Sequence, residues 1–123
     1  MHTVKMPKTI LVVEDDADMR ELIRLHLEGA GYAVKCVDNG LEAVRFCVSA
    51  RPDLIISDVH MPRVDGFEMV KLFKSEDRMK DIPVIYLTVD EAGVGRGKEL
   101  GAIEYLIKPL RAETLLAAVA KHL

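Results

Sequence analysis

The sequence has no basic excess: Lys and Arg number 17 against 20 Asp and Glu, a formal net charge of −3. With no surplus of positive charge to neutralise phosphates, the composition argues against a polyanion-binding protein, and no direct nucleic-acid binding is expected. No apolar run approaches the roughly 20 residues that a membrane-spanning helix needs, so no membrane partner is expected. The basic start, Met1 to Lys8, is followed by only Thr9-Ile10-Leu11-Val12-Val13 before acids appear. That stretch is too short for a secretory signal and carries no cleavage site. Cysteine is scarce. Cys36 and Cys47 have no CxxC spacing and sit among apolar residues, so two buried, reduced thiols in a cytoplasmic chain are expected. Internal repeats, low-complexity tracts and linkers are also missing. The 123 residues suffice for one ordinary domain and are too few for two. At this length folding hides roughly two-thirds of the unfolded chain's surface, enough for a core without covalent staples.

What is present is a strict alternation of strand-like and helix-like segments. Ile10 to Val13 is a short, continuous, β-branched run, as in a strand covered on both faces. Asp18 to Glu28 carries Met19, Leu22, Ile23, His26 and Leu27 at helical spacing, and Gly29-Ala30-Gly31 ends the helix. Tyr32 to Val37 reads as a second strand. Asn39-Gly40 opens a second helix to about Ala50, with Glu42 placed to complete a capping box with Asn39. Asp53 to Asp58 is the third strand. A loop through Asp65 then leads into a helix from Gly66 to about Ser75, with Phe67, Val70 and Leu72 or Phe73 facing inward. Pro83 to Thr88 and Ala102 to Ile107 are strands four and five. Arg111 to His122 is the last helix, with Leu115, Leu116 and Val119 inward. Such alternation implies an α/β fold, a doubly wound five-stranded parallel sheet with helices on both faces. Between Thr88 and Gly101 the glycines at 93, 95 and 97 each cost about 1 kcal/mol in a helix. The fourth helix is therefore expected to be short or frayed, starting near Arg96.

In open parallel sheets, ligands bind outside the carboxyl ends of the strands. Here those ends carry Glu14-Asp15-Asp16, Asp58, Thr88 and Lys108. Carboxylates crowded within a few ångströms resist charging unless a cation sits among them. Hard oxygen ligands in small number suit Mg²⁺, which binds through one or two carboxylates, waters and a phosphate. A carboxylate can attack phosphorus to form an acyl phosphate, and Asp58 is the most central candidate. Phosphoryl transfer needs in-line positioning and cations around the equatorial oxygens. Mg²⁺ and Lys108 would supply the charge, and Thr88 a hydrogen bond.

Val13-Glu14-Asp15-Asp16, Ser57-Asp58-Val59-His60-Met61-Pro62, Asp65-Gly66, Leu87-Thr88 and Tyr105-Leu106-Ile107-Lys108-Pro109 together resemble the signature of a response regulator receiver domain, the phospho-accepting module of two-component signalling. Five motifs fall in order at near-family spacing. The resemblance covers residues 8–123 and leaves 1–7 as a short N-terminal extension. It implies a flavodoxin-like sheet of order 2-1-3-4-5. It makes Asp58 the phosphorylated residue and Glu14 and Asp15 the acidic pair at Mg²⁺, Asp15 directly and Glu14 through water. The backbone carbonyl of His60 completes the protein ligands, Lys108 pairs with the phosphoryl group, and the bond to Pro109 is cis. Thr88 and Tyr105 form the switch, altering the face built from the fourth helix, fifth strand and fifth helix.

The implied partners are a sensor histidine kinase or phosphotransfer protein upstream, and a downstream protein target or a removed output domain. The implied role is signalling with self-dephosphorylation, not enzymatic turnover. The chain ends at its last helix, which suggests a stand-alone regulator, although a piece of a longer regulator would read the same. Two departures stand out. Thr88 to Lys108 spans 108 − 88 = 20 positions, shorter than is usual, and Val89 stands where a small residue is common. A remodelled partner face is therefore expected.

Blander readings exist for each residue. Acids favour the first turn of a helix, Asp58 can cap a loop, Thr88 and Lys108 can be ordinary strand-end residues, and a half-buried strand tyrosine at 105 is common. The side chain of His60, like that of Asp90, is expected to lie exposed and tune phosphate lifetime, and His26 to be a packing residue. One rival function is a carboxylate-nucleophile phosphohydrolase, which wants a second acid where this chain has His60. Another is a degenerate receiver that binds proteins without phosphate, which should lack Asp58, Thr88 or Lys108, all of which are present.

Overall fold

The computed structural model describes residues 6–59, 69, 71, 80–88, 103–108 and 111–123, with Thr88 and Tyr105 placed by their backbone alone. Its elements run β1 (Thr9–Val13), α1 (Ala17–Gly29), β2 (Ala33–Val37), α2 (Gly40–Ser49), β3 (Leu54–Asp58), β4 (Val84–Thr88), β5 (Glu104–Ile107) and a C-terminal helix, Ala112–His122. All strand pairs are parallel, in the order β2-β1-β3-β4-β5. The doubly wound arrangement expected from the alternation is the one observed. The expected helix from Gly66 and the glycine-rich segment 93–97 lie outside the described residues.

The two-residue period of a strand sorts the core into two layers. Leu11, Val13, Ile55, Val84 and Tyr86 point to one face and pack with Ala43 and Cys47 of α2. Ile10, Val12, Leu54, Ile56, Ile85 and Leu87 point to the other and pack with Ile23 and Leu27 of α1 and with Leu115, Ala118 and Val119 of the C-terminal helix. Every residue of β3 is buried, as a strand covered on both faces requires.

Not every residue of the apolar stripes is fully buried. Leu22 is 45% exposed, because the stripe centred on Ile23 and Leu27 leaves it about a quarter-turn away from the sheet. Leu116 is partly buried and packs against the core, as expected, and Ala118 joins Leu115 and Val119 within it. Cys47 is buried but Cys36 is half-buried, because β2 is the sheet's edge strand. Both thiols are free. Burial raises both thiol pKa values, that of Cys47 to about 11.

Local chemistry sets the helix ends. Asp16 caps α1, its side chain accepting from the Met19 N–H at 3.0 Å. Past the C-terminus, Gly31 adopts φ +97° and donates to the Glu28 carbonyl at 3.0 Å, a left-handed conformation that suits glycine. Asn39 caps α2 by accepting from the Glu42 N–H at 2.9 Å. The expected return arm of the capping box is replaced: Glu42 accepts from Arg45 at 2.8 Å instead. Asn39→Ala should therefore lower stability by about 1 kcal/mol, read as a shifted urea midpoint at unchanged slope. An unshifted midpoint would show that the cap contributes nothing.

Candidate functional site

Parallel register brings the strand ends to one rim. Val13 lies opposite Ser57, Asp58 opposite Leu87, and Thr88 opposite Ile107. Glu14 therefore follows β1 beside Asp58 at the end of β3, and Lys108 follows β5 on the same rim. Residues up to 94 positions apart in sequence become hydrogen-bonding neighbours.

The carboxylates are packed tightly. Ligand oxygens of Glu14, Asp15 and Asp58 all lie within 4.8 Å of one another. Glu14 is fully buried, Asp58 is 8% exposed and Asp15 is exposed. The Lys108 ammonium reaches in, donating to Glu14 Oε1 at 2.9 Å and standing 3.4 Å from Asp58 Oδ2. Asp16, the third acid of the sequence run, turns instead to cap α1. As an ionised carboxylate, Glu14 leaves Oε2 buried and, among the described residues, without a hydrogen-bond donor. Buried acceptors without partners are costly, so a cation at this point would satisfy an otherwise orphaned oxygen. Three hard oxygen donors at this spacing fit a divalent ion such as Mg²⁺.

Electrostatics agree with the geometry. Glu14 is pushed up to about 7, first by burial and then by the neighbouring Asp58 carboxylate, which accepts a proton held on Glu14; Lys108 opposes both. Burial pulls Lys108 down, but Glu14 and Asp58 outweigh it and hold the ammonium above its ordinary value. The sign for stability follows. Between pH 4.5 and 7 the folded chain holds a proton on Glu14 that the unfolded chain has released. This contribution is present below pH 4.5 and is lost as pH rises through 7. Glu14→Gln should therefore flatten the fall in metal-free melting temperature between pH 5.5 and 8. An identical slope in the variant would remove Glu14 as its source.

Two contributors escaped the sequence reading. Ser57 Oγ donates to the Asp58 backbone carbonyl at 2.8 Å, fully buried. Arg20 Nη1 donates to the Glu14 backbone carbonyl at 2.9 Å. A signal for Arg20 existed: helical side chains lean toward the N-terminus, so a long cation in the first turns of α1 can reach the preceding loop. Ser57 carried no such signal. The expected roles of His60, Asp90, Pro109 and Val89 fall outside the described residues, as do the side-chain roles of Thr88 and Tyr105.

The family model for the response regulator receiver domain matches residues 10–120. The chain belongs to the response regulator receiver domain family. The response regulator MprA of Mycobacterium sp. (strain KMS) is 40% identical over 114 residues, covering 91% of this chain and 49% of MprA. The receiver thus spans about half the length of the curated relatives it matches. The chemotaxis response regulator CheY4 of Vibrio cholerae has a structure matching at TM-score 0.90 and 36% identity, covering 96% of this chain and all of CheY4. The receiver domain of a sensor histidine kinase from Pseudomonas aeruginosa matches at TM-score 0.87 and 28% identity, over 94% of this chain and 97% of that one. That protein holds a magnesium ion coordinated in its active-site cleft. Among the described residues of this receiver, no helix is long and apolar enough to cross a membrane.

Proposed function

We propose that this receiver accepts a phosphoryl group on Asp58 from a histidine kinase or phosphotransfer protein, with Mg²⁺, and later loses it by hydrolysis. The observation that carries the reading is the rim itself. Three carboxylate oxygens lie within 4.8 Å, one ammonium is shared between two of the acids, and, among the described residues, a buried oxygen of ionised Glu14 lacks a donor. Glu14, Asp15, Asp58 and the His60 backbone carbonyl are the proposed Mg²⁺ ligands, Glu14 through water. When bound, Mg²⁺ supplies positive charge to the phosphoryl oxygens, the main need of this transfer. Asp58 is the nucleophile. One of its oxygens bonds to phosphorus, and the donor's leaving group departs with the electrons of the broken P–N or P–O bond. Lys108 holds its ammonium against the incoming phosphoryl oxygens, and Thr88 donates a hydrogen bond to them. Tyr105 follows Thr88, and the surface around β5 and the C-terminal helix changes for a downstream protein partner.

The direct test is incubation with Mg²⁺ and acetyl phosphate, read by intact mass, with amide-shift mapping of the beryllofluoride-bound protein. One added phosphoryl group and shifts centred on residues 14, 58, 88 and 108 are expected. No mass gain and no shifts would end the reading.

A further inference from the structure

The Glu14 backbone is pinned at both ends just outside β1. Its N–H donates to the Val37 carbonyl at 3.1 Å, and its C=O accepts from Arg20 Nη1 at 2.9 Å. The first bond of the α1 ladder here joins the Arg20 N–H to the Asp16 carbonyl, so the helix itself does not use the Glu14 carbonyl. Arg20 is also spent differently from its neighbours. Arg24 pairs with Glu21 and Glu28, and Arg45 with Glu42, whereas Arg20 forms no salt bridge among the described residues. The half-buried Arg20 lines an open cleft at the β2 edge of the sheet, together with Lys35, Cys36, Val37, Asp38 and Glu42. A planar guanidinium held this way fixes a carbonyl more rigidly than a freely rotating ammonium does.

From this geometry we infer that Arg20 is a positioning residue for the acidic rim. By holding the Glu14 carbonyl it fixes the direction of the Glu14 side chain, and with it the placement of buried Oε2 and the rim's affinity for a divalent cation. The inference rests on the phospho-accepting reading, because it concerns the same acids. Groups that orient metal-binding side chains without touching the ion typically set its affinity by about 10-fold or more.

The test is Mg²⁺ titration of the full chain, followed by backbone amide shifts at pH 8. The proteins are the parent, Arg20→Ala, Arg20→Lys and the control Arg24→Ala. Arg20→Ala is expected to weaken Mg²⁺ binding by about 10-fold. Arg20→Lys, which can still donate one bond, should recover part of that loss, and Arg24→Ala should match the parent. A purely structural role would lower the melting temperature in metal-free buffer and leave the dissociation constant unchanged. Unchanged Mg²⁺ affinity in a folded Arg20→Ala would thus overturn the inference. Should that variant not fold, Arg20→Met, which keeps an unbranched stem but has no donor, decides by the same criterion. If the parent itself shows no saturable Mg²⁺ response, the phospho-accepting reading fails and takes this inference with it. If the parent binds and Arg20→Ala binds equally well, this inference alone fails.

Discussion

Asp58→Asn is expected to abolish covalent uptake of a phosphoryl group from acetyl phosphate, with no mass gain where the parent protein gains one group. The carboxamide keeps the shape of the side chain but removes the negative oxygen that bonds to phosphorus. Neighbouring carboxylates cannot substitute. Glu14 is fully buried, with one oxygen engaged by Lys108, and Asp15 lies outside the strand end. Asp58 combines near-complete burial with a remaining 8% exposure, the access a small donor needs. The same variant carries a second signature. Removing one negative charge relieves Glu14, which Asp58 pushes up. In metal-free buffer at pH 8 the fold should gain stability, read as a raised melting temperature, because Glu14 no longer ionises beside a second carboxylate. A drop in metal-free melting temperature would contradict the crowded-acid picture, and persistent labelling of Asp58→Asn would move the acceptor elsewhere.

Lys108→Met should have the next largest effect, and in two directions. The ammonium lies 2.9 Å from Glu14 Oε1 and 3.4 Å from Asp58 Oδ2, so its removal leaves two buried or nearly buried carboxylates without their shared cation. Breaking a fully buried pair from one side costs roughly 3–5 kcal/mol. Here the expected loss is about 2 kcal/mol at pH 8, because the lysine retains 18% side-chain exposure and Glu14 can take up a proton instead. Lys108 is one of the influences holding Glu14 down, so without it Glu14 is neutral to higher pH. The destabilisation should therefore shrink as pH falls toward 6, and millimolar Mg²⁺ should restore part of it at pH 8. Phosphoryl uptake should slow about 100-fold, the usual cost of removing one preorganised donor from developing charge. Equal stability of parent and variant at pH 8 would mean that the ammonium does not hold the acids together. Unchanged labelling kinetics would remove it from the transfer.

Much of this was legible in the chain. The apolar run at 10–13 reads as a strand buried on both faces, because a run with no polar alternation has no solvent side to offer, and all four residues are buried. Asn39 caps α2 as expected, since a short polar side chain ahead of a helical stripe satisfies the first free N–H groups, whereas the same role for Asp16 was hidden in the acidic run. The list of strand-terminal residues, Glu14, Asp58, Thr88 and Lys108, was readable because parallel strands must all end on the same side. The side-chain roles of Thr88 and Tyr105, and everything expected of His60 and Pro109, remain part of the proposal.

What the sequence by itself determined is what local chemistry determines: among the described residues, which segments extend, which coil, where each helix starts to within a residue, and which polar residue each strand delivers. Tertiary structure alone decided how these pieces meet. Parallel register set Val13 opposite Ser57 and Thr88 opposite Ile107, and only that alignment brings an ammonium within 2.9 Å of a carboxylate 94 residues away. Tertiary packing also left Cys36 half-buried on an edge strand and sent Arg20 to a backbone carbonyl rather than to an acid. The reason is common to all three. Propensity and periodicity act over a few neighbouring residues, whereas pairing, edge position and the direction of a long side chain depend on contacts between segments distant in the chain.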